Sequence, residues 1–350
     1  MIRVYIIDDN RIVREIIAGQ LSEDPRFEVV GASTATEAMR ELPKVNPDVL
    51  TLDVEMPDIG GIEFLRWLMP KNPIPVIMLS SYTESGAKIT LDSLEAGAIE
   101  FVPKADGSEE DFFRMILELK NKIRACARTD VNKLLRRKKL VITGFGFGDR
   151  KKVADIKLIA LGASTGGTQA LEFLLRNLPI GLPPIVIVQH MPPKFTTMFA
   201  ARLNDISPLR IVEAENGMEI SKNTVYIAPG DFHMGLDHHN TTFSLNVFKS
   251  EKVTGHRPSV NVLFRSIAAS PLAEFSAAFL LTGMGKDGAE GMKAMRDRGS
   301  LTFGQDEATS VVYGMPREAF EIGAVQEQIS LDSVPDKIAK LCLGEFENSI

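Results

Sequence analysis

A chain of 350 residues with 44% hydrophobic and 25% charged residues can build a real core, and its length favours two domains over one. A formal net charge of −6 argues against a broad nucleic-acid surface, and two cysteines, Cys126 and Cys342, are too few for a disulfide framework or a metal-binding spacing. The opening "MIRVYIIDDN" is too short and too acidic for a signal peptide, and no apolar run approaches the roughly 20 residues of a membrane span. A cytoplasmic protein without membrane insertion is expected.

From residue 1 to about 122, short apolar runs rich in Val and Ile alternate with amphipathic stretches. The runs 2–7, 27–32, 48–53, 75–80 and 98–102 are expected as strands, and Ile12, Val13, Ile16, Ile17 and Leu21 recur at helical spacing. Five strands alternating with helices predict a parallel sheet covered on both faces, with functional groups gathered beyond the carboxyl ends of its strands.

Asp8 and Asp9 follow the first of these strands, Asp53 ends the third, Ser80 ends the fourth and Lys104 follows the fifth. In a parallel sheet all of them fall at one edge. Three carboxylates there offer only oxygen ligands, the set that suits a hard cation such as Mg²⁺. An aspartate beside Mg²⁺ is a plausible phosphoryl acceptor, with Lys104 pairing one oxygen of the transferred group. A single acid at a strand end is simply a helix cap; the full set argues for more. On these residues the stretch resembles the receiver domains of two-component response regulators. The resemblance implies a flavodoxin-like fold, phosphorylation at Asp53 by a histidine kinase, and a switch role for Ser80. One departure stands out: receivers often follow the lysine with a proline, whereas here the order is Pro103-Lys104-Ala105.

Residues 123–155 lose the alternation and carry a basic cluster, Arg136, Arg137, Lys138 and Lys139, followed by spaced glycines; they are expected as a linker. A second alternating pattern spans 156–345. Strands are expected at 157–163, 185–190, 224–228, 275–282 and 300–304. Helices are expected near 168–178, 196–206, 259–269, 288–298 and 315–322 and at the C-terminus, with a small hairpin over 235–247. The second domain is thus expected to be doubly wound α/β as well.

The run "LIALGASTGG" (158–167) ends in a glycine-rich turn. A phosphate-binding loop needs a lysine where Thr168 stands, and a dinucleotide fingerprint needs a glycine where Ser164 stands. Gly162-Ala163-Ser164-Thr165-Gly166 does match the nucleophile elbow G-x-S-x-G, although a serine helix cap looks alike. A serine needs a base, and among the five histidines only His190 closes a strand, the one after Ser164. His233 and His256 are expected in loops, and His238 and His239 in the hairpin. Asp287, in a glycine-rich loop after another buried strand, can hold the base. The order Ser, His, Asp differs from that of α/β-hydrolases. Backbone N–H groups at the helix start after Ser164 and at Met284 are candidates for an oxyanion hole.

The stretches "IALGASTGGTQAL", "VQHMPPKFTTMFAARLN", "YIAPGDFHM", "GHRPSVNVLF", "LLTGMGKDGAEGM" and "GQDEATSVVYGMPREA" are similar to those of the chemotaxis protein-glutamate methylesterase family, CheB. The resemblance implies a triad of Ser164, His190 and Asp287 with Met284 at the oxyanion position. It also implies hydrolysis of glutamate methyl esters on chemoreceptors and, in many members, deamidation of receptor glutamines. In the family the unphosphorylated receiver covers the catalytic face and phosphorylation by the kinase CheA shifts it away; the esterase chemistry needs no cofactor. Asn261 stands where the family commonly has Asp. The rival reading is a phosphorylation-gated adaptor with a vestigial triad. A DNA-binding regulator is disfavoured, because no compact helix-turn-helix follows the receiver-like segment.

Overall fold

The computed structural model describes residues 1–81, 83–105, 107–137, 150–151, 154–343 and 345–346, and the chain divides into two units, Met1–Lys139 and Leu140–Ile350. The first unit runs β1 (Ile2–Ile7), α1 (Arg11–Ser22), β2 (Phe27–Ser33), α2 (Ala35–Val45), β3 (Val49–Asp53), α3 (Gly61–Leu68), β4 (Val76–Ser80), α4 (Glu84–Ala96), β5 (Glu100–Pro103), α5 (Glu109–Cys126) and α6 (Val131–Arg137). Its sheet has the order β2-β1-β3-β4-β5 with every neighbour parallel, the flavodoxin-like arrangement. The central strands β3 and β4 are buried at every residue, as expected of strands covered on both faces. Local chemistry sets the helix starts. Asn10 accepts hydrogen bonds from the N–H groups of Ile12 and Val13, and Thr34 and Glu37 form a capping box.

The periodicity on α1 overstates what the core takes. Ile17 and Leu21 are buried, but Ile12 and Ile16 are 65% and 44% exposed. Helical structure also continues past residue 122, through the end of α5 and all of α6, inside the stretch expected as linker. The rest of that stretch, including Lys138, Lys139 and the spaced glycines, lies mostly outside the described residues.

The second unit runs β6 (Arg150–Lys151), β7 (Leu158–Ala163), α7 (Gly167–Arg176), β8 (Ile185–Gln189), α8 (Phe195–Ile206), β9 (Arg210–Glu213), β10 (Thr224–Ile227), β11 (His233–His239), β12 (Thr242–Phe248), α9 (Val260–Ala268), β13 (Ser276–Leu280), α10 (Ala289–Asp297), β14 (Leu301–Gln305), α11 (Met315–Glu321), β15 (Glu327–Ile329), α12 (Val334–Leu343) and β16 (Glu345–Phe346). Seven strands form a parallel sheet in the order β15-β14-β13-β7-β8-β10-β9. The expected hairpin is present as β11 and β12. The two edge strands, β9 and β15, were not expected from the sequence; they have four and three residues and no apolar run.

The core on one face packs Leu158, Ala160, Val186 and Val188 of the sheet against Leu263, Phe264 and Ile267 of α9 and Met292 and Met295 of α10. One contact positions the site. A Cβ at Gly162 would lie 2.4 Å from Val260 Cγ1, so glycine there admits the first residue of α9 against the end of β7. The N-terminus of α9 is thereby delivered beside the strand end that carries Ser164.

Candidate active site

Ser164 follows β7, His190 follows β8, and Asp287 lies in the loop between β13 and α10; these are three adjacent strands, with β7 in the middle. The serine turn is tightly anchored. Ser164 N–H donates to Thr282 O (3.0 Å), and Ser164 O accepts from Gly167 N–H (2.7 Å) and from Gln189 Nε2 (3.0 Å). Thr282 Oγ1 donates to Thr165 O at 2.9 Å. Gly166 takes φ +76°, and a Cβ there would lie 2.5 Å from Val311 Cβ, so the turn demands glycine on two counts. The same Gln189 amide donates to His190 O (3.2 Å), and His190 N–H donates to Ala163 O (3.2 Å), which ties the two strand ends together.

His190 Nε2 lies 2.8 Å from Asp287 Oδ2. Asp287 is buried and accepts four further hydrogen bonds: from Thr254 Oγ1 and Ser259 Oγ at 2.7 Å each, from Val260 N–H at 2.7 Å and from Asn261 N–H at 3.2 Å. Two of these donors are the first amides of α9, so the carboxylate sits on a helix N-terminus. Burial alone would raise the Asp287 carboxyl, but the hydrogen bonds from His190, Thr254 and Ser259 outweigh it and hold the group well below the usual carboxylate range.

The third link of a triad is not formed in this structure. Among the described residues the Ser164 hydroxyl makes no hydrogen bond, and His190 Nδ1 is buried with no hydrogen-bond partner. Gly283 presses on the serine: a Cβ there would lie 2.8 Å from Ser164 Cβ and 2.3 Å from Met315 Sδ. Met284 therefore follows a residue in direct contact with Ser164, and among the described residues no acceptor is present for its N–H.

The contacts of several residues around Asp287 were not legible in the sequence. His233, expected in a loop, is the first residue of β11 and fully buried; its Nδ1 accepts from Ser259 N–H (3.2 Å) and its Nε2 bonds Glu251 O (3.0 Å). His256 stacks on His190 with ring centroids 3.8 Å apart and planes 10° apart. Asn261 is buried, and besides its N–H to Asp287 its Oδ1 accepts from Gly291 N–H at 2.7 Å, which pins α9 to α10. His238 and His239 are exposed at the end of β11.

In the first unit, Asp8, Asp9 and Asp53 each offer an oxygen within 4.8 Å of the others, an all-oxygen set that fits a hard divalent cation. Lys104 Nζ lies 2.8 Å from Asp53 Oδ2 and 3.3 Å from Asp8 Oδ2. Burial works against the Lys104 ammonium, but Asp53 and Asp8 prevail and keep it firmly cationic. Ser80 is fully buried, and its hydroxyl bonds Gly86 O (3.3 Å) and Thr90 Oγ1 of α4; it makes no hydrogen bond to Asp53.

Comparison with known proteins bears on both units. The profile of the response regulator receiver domain matches residues 4–115, and that of the CheB methylesterase matches residues 159–338. A protein-glutamate methylesterase/protein-glutamine glutaminase 1 of Dechloromonas aromatica is 44% identical over 96% of this chain and 97% of its own length. A protein of the same name, without the number, from Syntrophotalea carbinolica is 42% identical over 97% of each. The crystal structure of the Thermotoga maritima CheB methylesterase catalytic domain superposes with a TM-score of 0.52 and 39% identity, covering 53% of this chain and 98% of that one. With a receiver sheet at one end and a Ser, His and Asp at adjacent strand ends in the other, the chain belongs to the CheB methylesterase family.

Proposed function

We propose that the chain is a phosphorylation-regulated serine esterase of the cytoplasm that hydrolyses glutamate methyl esters on chemoreceptors, releasing methanol, and deamidates receptor glutamines. The observation that carries this reading is the pairing of His190 with a carboxylate so fully hydrogen-bonded that it accepts the Nε2 proton without competing for it. That pairing leaves a lone pair on Nδ1, the form a general base requires.

Ser164 Oγ turns toward Nδ1, gives up its proton and attacks the ester carbonyl. The imidazolium that forms is stabilised by Asp287. The oxyanion is held by the N–H of Met284 and by those of Thr165 and Gly166 at the start of α7; losing one such donor typically costs about 100- to 1000-fold in rate. As the C–O bond breaks, Nδ1–H protonates the leaving methoxide. Water, activated by the same nitrogen, then hydrolyses the acyl-enzyme to the glutamate carboxylate. With a glutamine substrate the leaving group is ammonia, and every other role is unchanged. No cofactor enters these steps.

In the receiver, Asp53 accepts a phosphoryl group from the histidine kinase CheA, Asp8, Asp9 and Asp53 would hold Mg²⁺, and Lys104 pairs an oxygen of the acyl phosphate. When bound, the cation neutralises charge on the transferred group. Ser80 leaves Gly86 and Thr90 for the phosphoryl group, which changes how α4 begins; this is the two-state element that phosphorylation biases.

The test is methanol release from methylated chemoreceptor by the full chain, with and without a small-molecule phosphodonor. Ser164→Ala is expected to abolish release and Asp53→Ala to abolish its response to phosphodonor. Release by Ser164→Ala at the wild-type rate would overturn the esterase reading.

A further inference from the structure

His190 is held through one ring nitrogen only. Its carboxylate partner bonds Nε2, which lies nearer than Nδ1 to the axis about which χ2 turns. A hydrogen bond there resists that rotation less than one at Nδ1 would. Nδ1 is the nitrogen that must face Ser164. Terminal torsions of this kind are broad, so something else must fix the ring plane.

The only ring stacked on His190 among the described residues is that of His256, at 3.8 Å and 10°. His256 closes a two-residue turn. Val253 and His256 exchange backbone hydrogen bonds of 3.1 and 3.0 Å, and the two residues between them, Thr254 and Gly255, have φ of +52° and +83°. Positive φ at both central positions is the mark of a tight hairpin turn that favours Asn-Gly. A β-branched residue is strained there. The strain has a local return: this conformation aims Thr254 Oγ1 at Asp287 Oδ1, 2.7 Å away. One four-residue turn thus grips the acid with a hydroxyl and the base with a ring.

We infer that His256 and Thr254 are positioning residues for the esterase reaction: His256 fixes the plane of the His190 ring so that Nδ1 meets Ser164, and Thr254 ties the acid to the same turn. The inference rests on the Ser164, His190 and Asp287 reading above. It requires of residue 256 a flat ring and of residue 254 a hydroxyl.

The experiment is steady-state methanol release from methylated chemoreceptor by the full chain, separating kcat from KM. His256→Ala is expected to lower kcat by about 10- to 100-fold, the cost of misplacing a reacting group by a fraction of an ångström to an ångström, with KM little changed. His256→Phe, which keeps the flat ring, recovers most of that loss. Thr254→Val lowers kcat, and Thr254→Ser recovers it. If Ser164→Ala is inactive while His256→Ala runs at the wild-type kcat, or His256→Phe is as slow as His256→Ala, the positioning role is wrong and the triad stands. A rise in KM alone would mark a substrate contact and also overturn it. If Ser164→Ala remains active, the triad itself fails. Should His256→Ala not fold, His256→Phe and the Thr254 pair still decide: slow turnover in a folded His256→Phe, or wild-type kcat in Thr254→Val, overturns the inference.

Discussion

Replacing Asp287 by asparagine changes one atom and reverses the proton traffic of the site. Oδ1 accepts from Thr254 Oγ1, Ser259 Oγ and Asn261 N–H, whereas Oδ2 accepts from His190 Nε2 and Val260 N–H. The amide opposes fewest donors when its NH₂ takes the place of Oδ2. Val260 N–H, at 2.7 Å in the native site, then faces another donor, and a buried orphan of that kind costs about 1–3 kcal/mol. His190 can meet the NH₂ only by presenting a lone pair at Nε2, which moves its proton to Nδ1 and removes the base. The corresponding change in a serine-protease triad costs about 10⁴-fold in kcat, or about 5.4 kcal/mol at 1.36 kcal/mol per decade.

Stability gives a second handle on the same substitution, with a definite sign. Because the native Asp287 carboxyl is held below its usual range, its contribution is complete above the unfolded-state value near ~3.9 and is lost as the pH falls through its native value. Asparagine has no such contribution, so the wild-type and Asp287→Asn stabilities should differ most at neutral pH and converge in acid. The assays are methanol release, urea unfolding across pH 2–7 and nitrogen NMR of the His190 ring. A variant that keeps kcat within about tenfold of wild type while its Nδ1 carries the proton would refute the assignment of Nδ1 as base.

Gly283→Ala should lower kcat by about 10- to 100-fold with KM retained, because the added methyl would lie 2.8 Å from Ser164 Cβ and 2.3 Å from Sδ of the fully buried Met315; methanol-release kinetics check it. His233→Ala should destabilise the second unit by at least about 1–3 kcal/mol, since Ser259 N–H loses its acceptor in a fully buried place; urea unfolding measures this, and an unchanged midpoint would deny His233 its supporting role. Mg²⁺ should raise the melting temperature of the wild-type first unit, by the equivalent of about 2.7 kcal/mol at a hundredfold excess over its Kd, and Asp8→Asn should weaken the effect; no shift in the wild type would mean that the acids hold no cation.

What the sequence made legible follows from how local the signals were. Ser164, His190, Asp53, Ser80 and Lys104 close or follow apolar runs that are buried strands, so the period of the pattern placed each at a carboxyl end. Asp287 was found because glycines punctuate its loop. The support around it was hidden because it is tertiary. "EKVTGHRPS" has no periodicity, and Thr254-Gly255 is a poor match to the Asn-Gly preference of the turn it forms. Ser259 looks like a helix cap and stands at the cap position of α9, yet it makes no side-chain capping bond, because its hydroxyl serves a carboxylate 28 residues away. Ile12 and Ile16 erred the other way, since helical spacing alone does not say which apolar residues the core accepts.

The chain order Ser, His, Asp and the choice of ring nitrogen have one topological origin. The chain lays down β7 and β8 side by side, goes to the edge as β9, fills the gap with β10, and later returns to place β13 on the other side of β7. The serine strand is therefore the middle of three, with His190 on one flank and Asp287 beyond the other. Strands lie about 4.8 Å apart, so the flanking ends are separated by about 9–10 Å across the end of β7. A histidine that must bridge that gap bonds the acid through its far nitrogen, Nε2. Its near nitrogen, Nδ1, is left buried without a hydrogen-bond partner, on the ring that spans the strand end carrying Ser164. Here the bond is made at the nitrogen nearer the χ2 axis, and the flat ring of His256 stacks on the imidazole where a further restraint is needed.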